Sequence, residues 1–187
     1  TGGHGLNECY KNIAGLPPSC CIIPDNNYSS SSLALSTSLY VLIDVSTLSI
    51  QQITKICQNY VKYEEAIDSL HSYNRRENKC NQCRSNKLVV GDEGCTNKQR
   101  NQRIANCQSL NELVSCMNPK HDVQYKLDLR RSIQQHNNTL NSIEFRQHTS
   151  SKDKTTVTNW IRFCTAFVLN SARLRSPMAL KSTTSIE

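Results

Sequence analysis

Cysteine is the residue type whose number and spacing in this sequence most clearly suggest chemistry, with 10 among 187 residues. Cys80 and Cys83 form a Cys-x2-Cys pair, an arrangement found in zinc sites and in thioredoxin-type redox centres. A structural zinc site needs four ligands, and a redox motif of this kind lies in a βαβ unit. The sequence supplies no second pair, no suitably spaced histidines and no such unit. We therefore expect no metal and no cofactor, and we favour disulfides.

The cysteines and two sequons together indicate an extracellular protein. We predict that every cysteine belongs to a disulfide: Cys9, Cys20, Cys21, Cys57, Cys80, Cys83, Cys95, Cys107, Cys116 and Cys164. Because adjacent cysteines cannot easily bond to each other, Cys20 and Cys21 are expected to have different partners. Sequons at Asn27 and Asn137 predict N-glycosylation. Disulfides persist in oxidising compartments, so the predicted location is extracellular or at the cell surface.

The other residues form no catalytic pattern. His71, His136 and His148 lie among polar residues, where a histidine is usually solvated. His121 is followed by Asp122, but no glycine-rich calcium loop accompanies the pair. Since neither a Ser/His/Asp set nor paired carboxylates can be argued, the chain is predicted not to be an enzyme.

Charge predicts the kind of partner. The formal net charge is +7, which favours an anionic partner. For an extracellular protein this partner is expected to be an acidic glycan or an acidic protein face, not nucleic acid. No run of about 18 apolar residues is present, so no membrane-spanning segment is predicted within the sequence.

Hydrophobic periodicity predicts a mainly α fold: a disulfide-rich helical bundle with a short β-hairpin around 84–95. The main helix, 49–73, opens with a capping box formed by Ser49 and Gln52. The last helix, 156–173, carries Trp160 in an apolar stripe, so this side chain should be buried. Further helices are predicted at 33–45, where a strand is the alternative, and at 98–117 and 123–145. The domain boundaries are a flexible start at 1–8, one domain at 9–173 and a juxtamembrane or linker tail at 174–187.

The order of the cysteines resembles that of SPARK domains, the extracellular modules of certain plant receptor-like kinases and related GPI-anchored proteins. The shared features are Cys9, the Cys20-Cys21 pair, Cys57 in Lys-Ile-Cys-Gln, eleven residues between Cys83 and Cys95, Cys107, and Cys164 in Cys-Thr-Ala-Phe. The resemblance implies a non-catalytic recognition module that binds a protein or glycan, with a co-receptor at the plasma membrane and a kinase inside the cell. It also implies a role in signalling such as mycorrhizal symbiosis.

Two alternatives remain open. The first is a secreted or GPI-anchored interaction protein without a kinase. The second is a carrier of a small apolar ligand, because the spacing from Cys107 to Cys116 resembles that of insect odorant-binding proteins.

Overall fold

A mixed arrangement of strands and helices makes up the computed structural model. It describes residues 20–24, 38–76, 83–130, 133–134 and 139–174, with side chains given outside 20–24, 133–134 and 139. The strands are β1 (Cys20–Pro24), β2 (Ser38–Asp44), β3 (Leu127–Asp128), β4 (Ile133–Gln134), β5 (Thr139–Leu140) and β6 (Ser142–Thr149). The helices are α1 (Ile50–Asp68), α2 (Asn86–Val90), α3 (Asn97–Ala105), α4 (Leu110–Met117) and α5 (Lys154–Arg173), with a 3-10 turn at Tyr73–Arg75.

Four of the strands form one antiparallel sheet in the order β1-β2-β6-β3, while β4 and β5 pair separately. In the two central strands of the four-stranded sheet, β2 and β6, every second side chain points to the core. Val41 lies opposite Phe145, and Ile43 lies opposite Ile143; all four side chains are buried. Because directly opposite residues of paired strands point to the same side, these four side chains form one continuous apolar face.

A β-bulge interrupts the alternation in β6. Leu39 lies opposite His148 and Val41 lies opposite Phe145, so β6 has one residue more than β2 over the same interval. The two residues within the bulge serve different sides of the sheet. Arg146 lies over the ring of Tyr40, 4.8 Å from its centroid, whereas Gln147 accepts a hydrogen bond from Tyr60 of α1 at 3.1 Å.

Helices α1 and α5 cover the apolar face of the sheet. Ser49 begins α1 as predicted, because its backbone N–H donates to Gln52 Oε1 at 2.9 Å and its hydroxyl accepts from the Gln52 N–H. The rings of Tyr60 and Trp160 lie edge-on to Phe145, with centroids 6.0 and 6.4 Å away. The predicted helix at 156–173 and the predicted burial of Trp160, which is 5% exposed, are therefore confirmed. The helix predicted at 49–73 is also present, but it ends at Asp68, and Tyr73 begins a 3-10 turn.

Asn86 links the smaller helices to the sheet. Its side-chain amide donates to the carbonyl of Met117 at 3.0 Å and to that of Leu127 at 2.9 Å, and its oxygen accepts from the Leu127 N–H. One buried amide therefore fastens the start of α2, the end of α4 and the edge strand β3.

The prediction of a disulfide-rich, mainly helical bundle is wrong. A strand replaces the favoured helix within 33–45, since 38–44 is β2, and short strands replace the helix at 123–145. The region 98–117 forms two helices rather than one, and 84–95 contains α2 in place of a hairpin. The physical reason is the sheet: alternating residues in β2 and β6 bury one face against helices, and that tertiary contact overrides weak helical periodicity. The proposed domain boundaries stay a prediction.

Close packing at Gly91 gives a test of the loop between α2 and α3. A Cβ at position 91 would lie 2.8 Å from the Cβ of Cys95 and 3.1 Å from Cγ of Arg100, but one at Gly94 would meet only Asp92 Oδ1 at 3.7 Å. We expect Gly91→Ala to lower the free energy of unfolding by about 1–3 kcal/mol, because the overlap forces the loop to shift. Gly94→Ala is the matched control for chemical denaturation. Equal effects of the two substitutions would contradict this account.

Candidate functional site

Charged side chains cluster on the face of the sheet that points away from α1 and α5. Leu127 of β3 pairs with Phe145, whose ring points to the helices, so the following pair, Asp128 and Glu144, points the other way. Arg146 joins the pair: its Nη2 donates to Glu144 Oε2 at 2.9 Å, and its Nε lies 3.8 Å from Asp128 Oδ2. All three side chains are at most 2% exposed.

A second guanidinium connects this cluster to the loop before β3. Arg130 Nε and Nη2 donate to the two carboxylate oxygens of Asp128 at 3.0 and 2.6 Å. Its Nη1 and Nη2 also donate to the carbonyls of Lys120 and Val123, the second bond being 2.7 Å long. Arg130 therefore holds the 120–125 loop beside the charged face. We call Asp128, Arg130, Glu144 and Arg146 the sheet site.

The sheet site opens into a pocket of about 240 Å³ lined by Arg130, Arg146, Asp128, His121 and Gln124. Within the described residues, Nε and Nη1 of Arg146 are buried and make no hydrogen bond, and neither does Oε1 of Gln124. Buried polar atoms in folded proteins nearly always have a partner. Nη1 of Arg146 makes no hydrogen bond among the described residues, and Nε has only the ion-pair contact of 3.8 Å to Asp128, so N–H donors of a fixed guanidinium are left for an oxyanion from a ligand.

Asp128 and Arg130 of the sheet site hold each other in their ionised forms. Burial alone would raise the pKa of Asp128, but the hydrogen bonds from Arg130 and the nearby charge of Arg146 lower it overall. The hydrogen bond to Asp128 in turn raises the pKa of Arg130. The site therefore presents fixed guanidinium donors at neutral pH, and Asp128 holds Arg130 in position.

A separate ionic network lies on the helix side of the sheet. Lys126 Nζ contacts both carboxylate oxygens of Asp68, at 2.7 and 2.8 Å, and Glu64 Oε1 at 3.1 Å. Gln147 donates to Asp68 as well. Burial would lower the pKa of Lys126, but the two carboxylates raise it overall, so the lysine is charged. This network ties α1 to the sheet and we treat it as structural.

His71 gives a prediction about pH. Burial, together with the charges of His148 and Lys126, lowers the pKa of His71 to about 4 from an unperturbed 6.5. The unfolded chain therefore binds a proton below pH 6.5 while the native histidine stays neutral down to about pH 4. We expect His71 to account for a loss of up to about 3 kcal/mol in the free energy of unfolding across that interval.

Denaturant titrations between pH 7 and pH 4 test this effect, with His71→Phe as the comparison because it keeps an aromatic ring and does not titrate. The variant should lose less stability than the wild type as the pH falls. Parallel pH profiles for the two proteins would contradict the assignment.

No disulfide joins the cysteines whose side chains the structure describes. The six cysteines with described side chains are thiols: Cys57, Cys83 and Cys164 in the interior, and Cys95, Cys107 and Cys116 partly exposed. Cys57 and Cys164 belong to the hydrophobic core, and Cys107 and Cys116 pack against it, as small apolar residues do. Cys9, Cys80, Asn27 and Asn137 lie outside the described residues, as do the side chains of Cys20 and Cys21.

Sequence reasoning missed the whole sheet site. A signal was present in two segments in which charged and apolar residues alternate: Leu127-Asp-Leu-Arg130 and Ile143-Glu-Phe-Arg146. A period of two is the pattern of a strand with one charged and one apolar face. In a helix of the predicted length it would scatter these charges around the axis.

The described residues contain neither a metal-binding group of side chains nor a membrane-spanning helix. No group of three or more His, Cys, Asp or Glu side chains in that part of the chain is arranged to hold a metal ion. Among the helices described, none is both long and apolar enough to cross a membrane. The predicted cell-surface location and the predicted glycan or protein partners stay predictions.

Comparison with known proteins identifies a family. Searches of curated proteins and of solved structures found no match. The family model described as "Putative amidoligase enzyme" matches residues 29–168. The resemblance to SPARK domains is therefore wrong, and so are the non-catalytic receptor role and its two non-enzymatic alternatives. Because the match covers most of the sequence and includes all four residues of the sheet site, the chain belongs to this amidoligase family.

Proposed function

We propose that this protein forms amide bonds between a carboxylic acid and an amine, and that the sheet site binds the oxyanion of the acid substrate. The observation that supports the proposal is the guanidinium of Arg146, whose Nε and Nη1 are buried and make no hydrogen bond among the described residues. Family membership supplies the class of reaction, and this guanidinium supplies a place for the group that every substrate of that reaction carries.

The chemistry of amide formation explains why such donors are needed. An ionised carboxylate is a poor electrophile, so one of its oxygens must first be converted into a leaving group. The amine then attacks the acyl carbon, and negative charge develops on the remaining oxygen before the leaving group departs. Fixed donors in a buried site stabilise that charge more strongly than water does, because they need no reorganisation.

The two acidic side chains of the sheet site keep the donors in place. Glu144 accepts from one N–H of Arg146, and Asp128 binds Arg130 in two places and lies 3.8 Å from Arg146 Nε, so the two carboxylates together hold both guanidinium groups. The substrate oxyanion would use the remaining donors of Arg146. His121, which is exposed and lines the same pocket, is placed to accept the proton that the attacking amine must lose.

Binding of an anion tests the proposal without knowledge of the substrate. We expect inorganic phosphate or acetate to raise the melting temperature of the wild type and to shift the NMR signal of Arg146 Nε. Arg146→Lys should abolish the rise in melting temperature, whereas Lys62→Met, which removes a cation from the surface of α1, should retain both the rise and the shift of the Arg146 signal. An equal response in both variants would refute an anion site at Arg146.

Activity can be measured with hydroxylamine as a general amine. The protein is incubated with magnesium ATP as phosphoryl donor and a panel of carboxylic acids, and hydroxamate is detected by its ferric complex. Formation of hydroxamate that depends on both the acid and the protein is the expected result. Anion binding at Arg146 without any hydroxamate across the panel would count against the reaction while leaving the site intact.

A further inference from the structure

Gln124 brings a hydrogen-bond acceptor to the pocket of the sheet site. Its side chain lines this pocket of about 240 Å³, and its Oε1 is buried and makes no hydrogen bond among the described residues. Arg146 lines the same pocket and contributes only donors. An oxyanion accepts hydrogen bonds and donates none, so it can pair with Arg146 but not with Oε1 of Gln124.

The backbone around Gln124 is fixed by hydrogen bonds. The carbonyl of Gln124 accepts from the N–H of Arg84 at 2.8 Å, and the carbonyl of Arg84 accepts from the N–H of Lys126 at 3.0 Å. On the other side, the carbonyl of Val123 accepts from Arg130 Nη2 at 2.7 Å. A ligand therefore meets an acceptor whose backbone is already in position, which lowers the entropy lost on binding.

We propose that the acid substrate of the sheet site carries an N–H group on the carbon next to its carboxylate, and that Gln124 selects for this group. A free α-amino acid and the C-terminal residue of a peptide both have this arrangement. The carboxylate binds Arg146, and the N–H group donates to Oε1 of Gln124. This inference rests on the proposed function, because it names the substrate class of the same site.

The balance of charge favours an ammonium group as the donor. The two carboxylates and two guanidinium groups of the sheet site have formal charges that cancel. A carboxylate ligand without a positive charge adds a net negative charge to this largely buried group of side chains, which is costly. A free amino acid carries both charges and adds none.

The unpaired acceptor gives the site a means of discrimination. Propionate has the same number of heavy atoms as glycine, but it has a methyl group where glycine has its ammonium group. When propionate binds, Oε1 of Gln124 is left without a donor, and a site built to bind an N–H group rejects such analogues. We expect glycine to bind at least about tenfold more tightly than propionate, since a hydrogen bond to a charged group supplies a ratio of this size.

NMR titration of the full chain with glycine, propionate and N-acetylglycine tests the inference. Gln124→Met keeps the length of the side chain and removes the acceptor, so it should weaken glycine binding to the level of propionate. Gln102→Met removes an exposed amide from α3 and should keep the tenfold preference. N-acetylglycine has an amide N–H and no positive charge. If it binds more tightly than glycine, the substrate is a peptide C-terminus; if glycine binds more tightly, the substrate is a free amino acid.

The outcomes separate this inference from the proposed function. If glycine and propionate both bind, and both are lost in Arg146→Lys, the oxyanion site is present whichever acid is preferred. In that case equal affinities for glycine, N-acetylglycine and propionate, or a preference that survives in Gln124→Met, would overturn the role of Gln124 alone. If binding of all three acids is the same in Arg146→Lys as in the wild type, the oxyanion site itself is refuted and the substrate class falls with it.

Discussion

Replacing Lys126 with methionine is expected to lower the free energy of unfolding by about 3–5 kcal/mol. The lysine is completely buried and is the cation between Asp68 and Glu64, which are themselves 8% and 3% exposed. Without it two buried carboxylates lose the lysine charge that offsets part of the cost of removing them from water. Denaturant titration at pH 7 measures the loss.

Two comparisons separate this effect from a general loss of a lysine. Lys87 pairs with Glu65 at 2.5 Å, but Glu65 is 79% exposed, so Lys87→Met should cost about 1 kcal/mol or less. Combining Lys126→Met with Glu64→Gln and Asp68→Asn removes the two carboxylate charges as well and should recover most of the lost stability. If Lys126→Met were no more harmful than Lys87→Met, the network would not hold α1 to the sheet as described.

Replacing Arg146 with lysine is expected to reduce the rate of amide formation by about 100-fold or more, which is a loss of roughly 2.7 kcal/mol of transition-state stabilisation. Lysine keeps the positive charge beside Glu144 and Asp128, so the carboxylates stay compensated and the fold should be retained. It cannot present the planar set of N–H groups that a guanidinium offers. The hydroxamate assay measures the rate.

The same variant has a control for stability. Thermal unfolding of Arg146→Lys should stay close to that of the wild type, which separates lost binding from lost structure. Lys62→Met should keep full activity, since this lysine lies on the surface of α1 beside Tyr63. Unchanged activity in Arg146→Lys would show that the reaction does not use the guanidinium of Arg146.

Local signals in the sequence predicted the two long helices. The capping box of Ser49 and the apolar stripe around Trp160 depend on residues within a few turns, and both lead to the correct elements. The sheet depends on partners far apart in the chain: β2 pairs with β6 about one hundred residues later. The spacing of the apolar residues in 123–145 fits both the helical and the strand period. Only the pairing of β6 with the distant β2 selects a strand there.

The cysteines misled the functional prediction because their number alone does not distinguish disulfide-bonded cysteines from cysteines that pack in the core as thiols. Cys57 and Cys164 occupy the interior among apolar side chains, where a thiol packs well. The charged residues misled the functional prediction in another way, because they were expected to be solvated. Asp128, Glu144 and Arg146 suggest a solvated surface when read one at a time, yet they are buried because each neutralises its neighbours.

The burial of both faces of β6 affects how mutations should be tolerated along that strand. In a strand with one solvent-exposed face, every second position usually accepts substitution. Here residues 143–147 are all buried, with Phe145 and Gln147 directed to the helices and Glu144 and Arg146 to the sheet site. Sequence variation in related chains should therefore be suppressed at five consecutive positions, a pattern more typical of a fully enclosed strand than of one in a sheet covered by helices on one side.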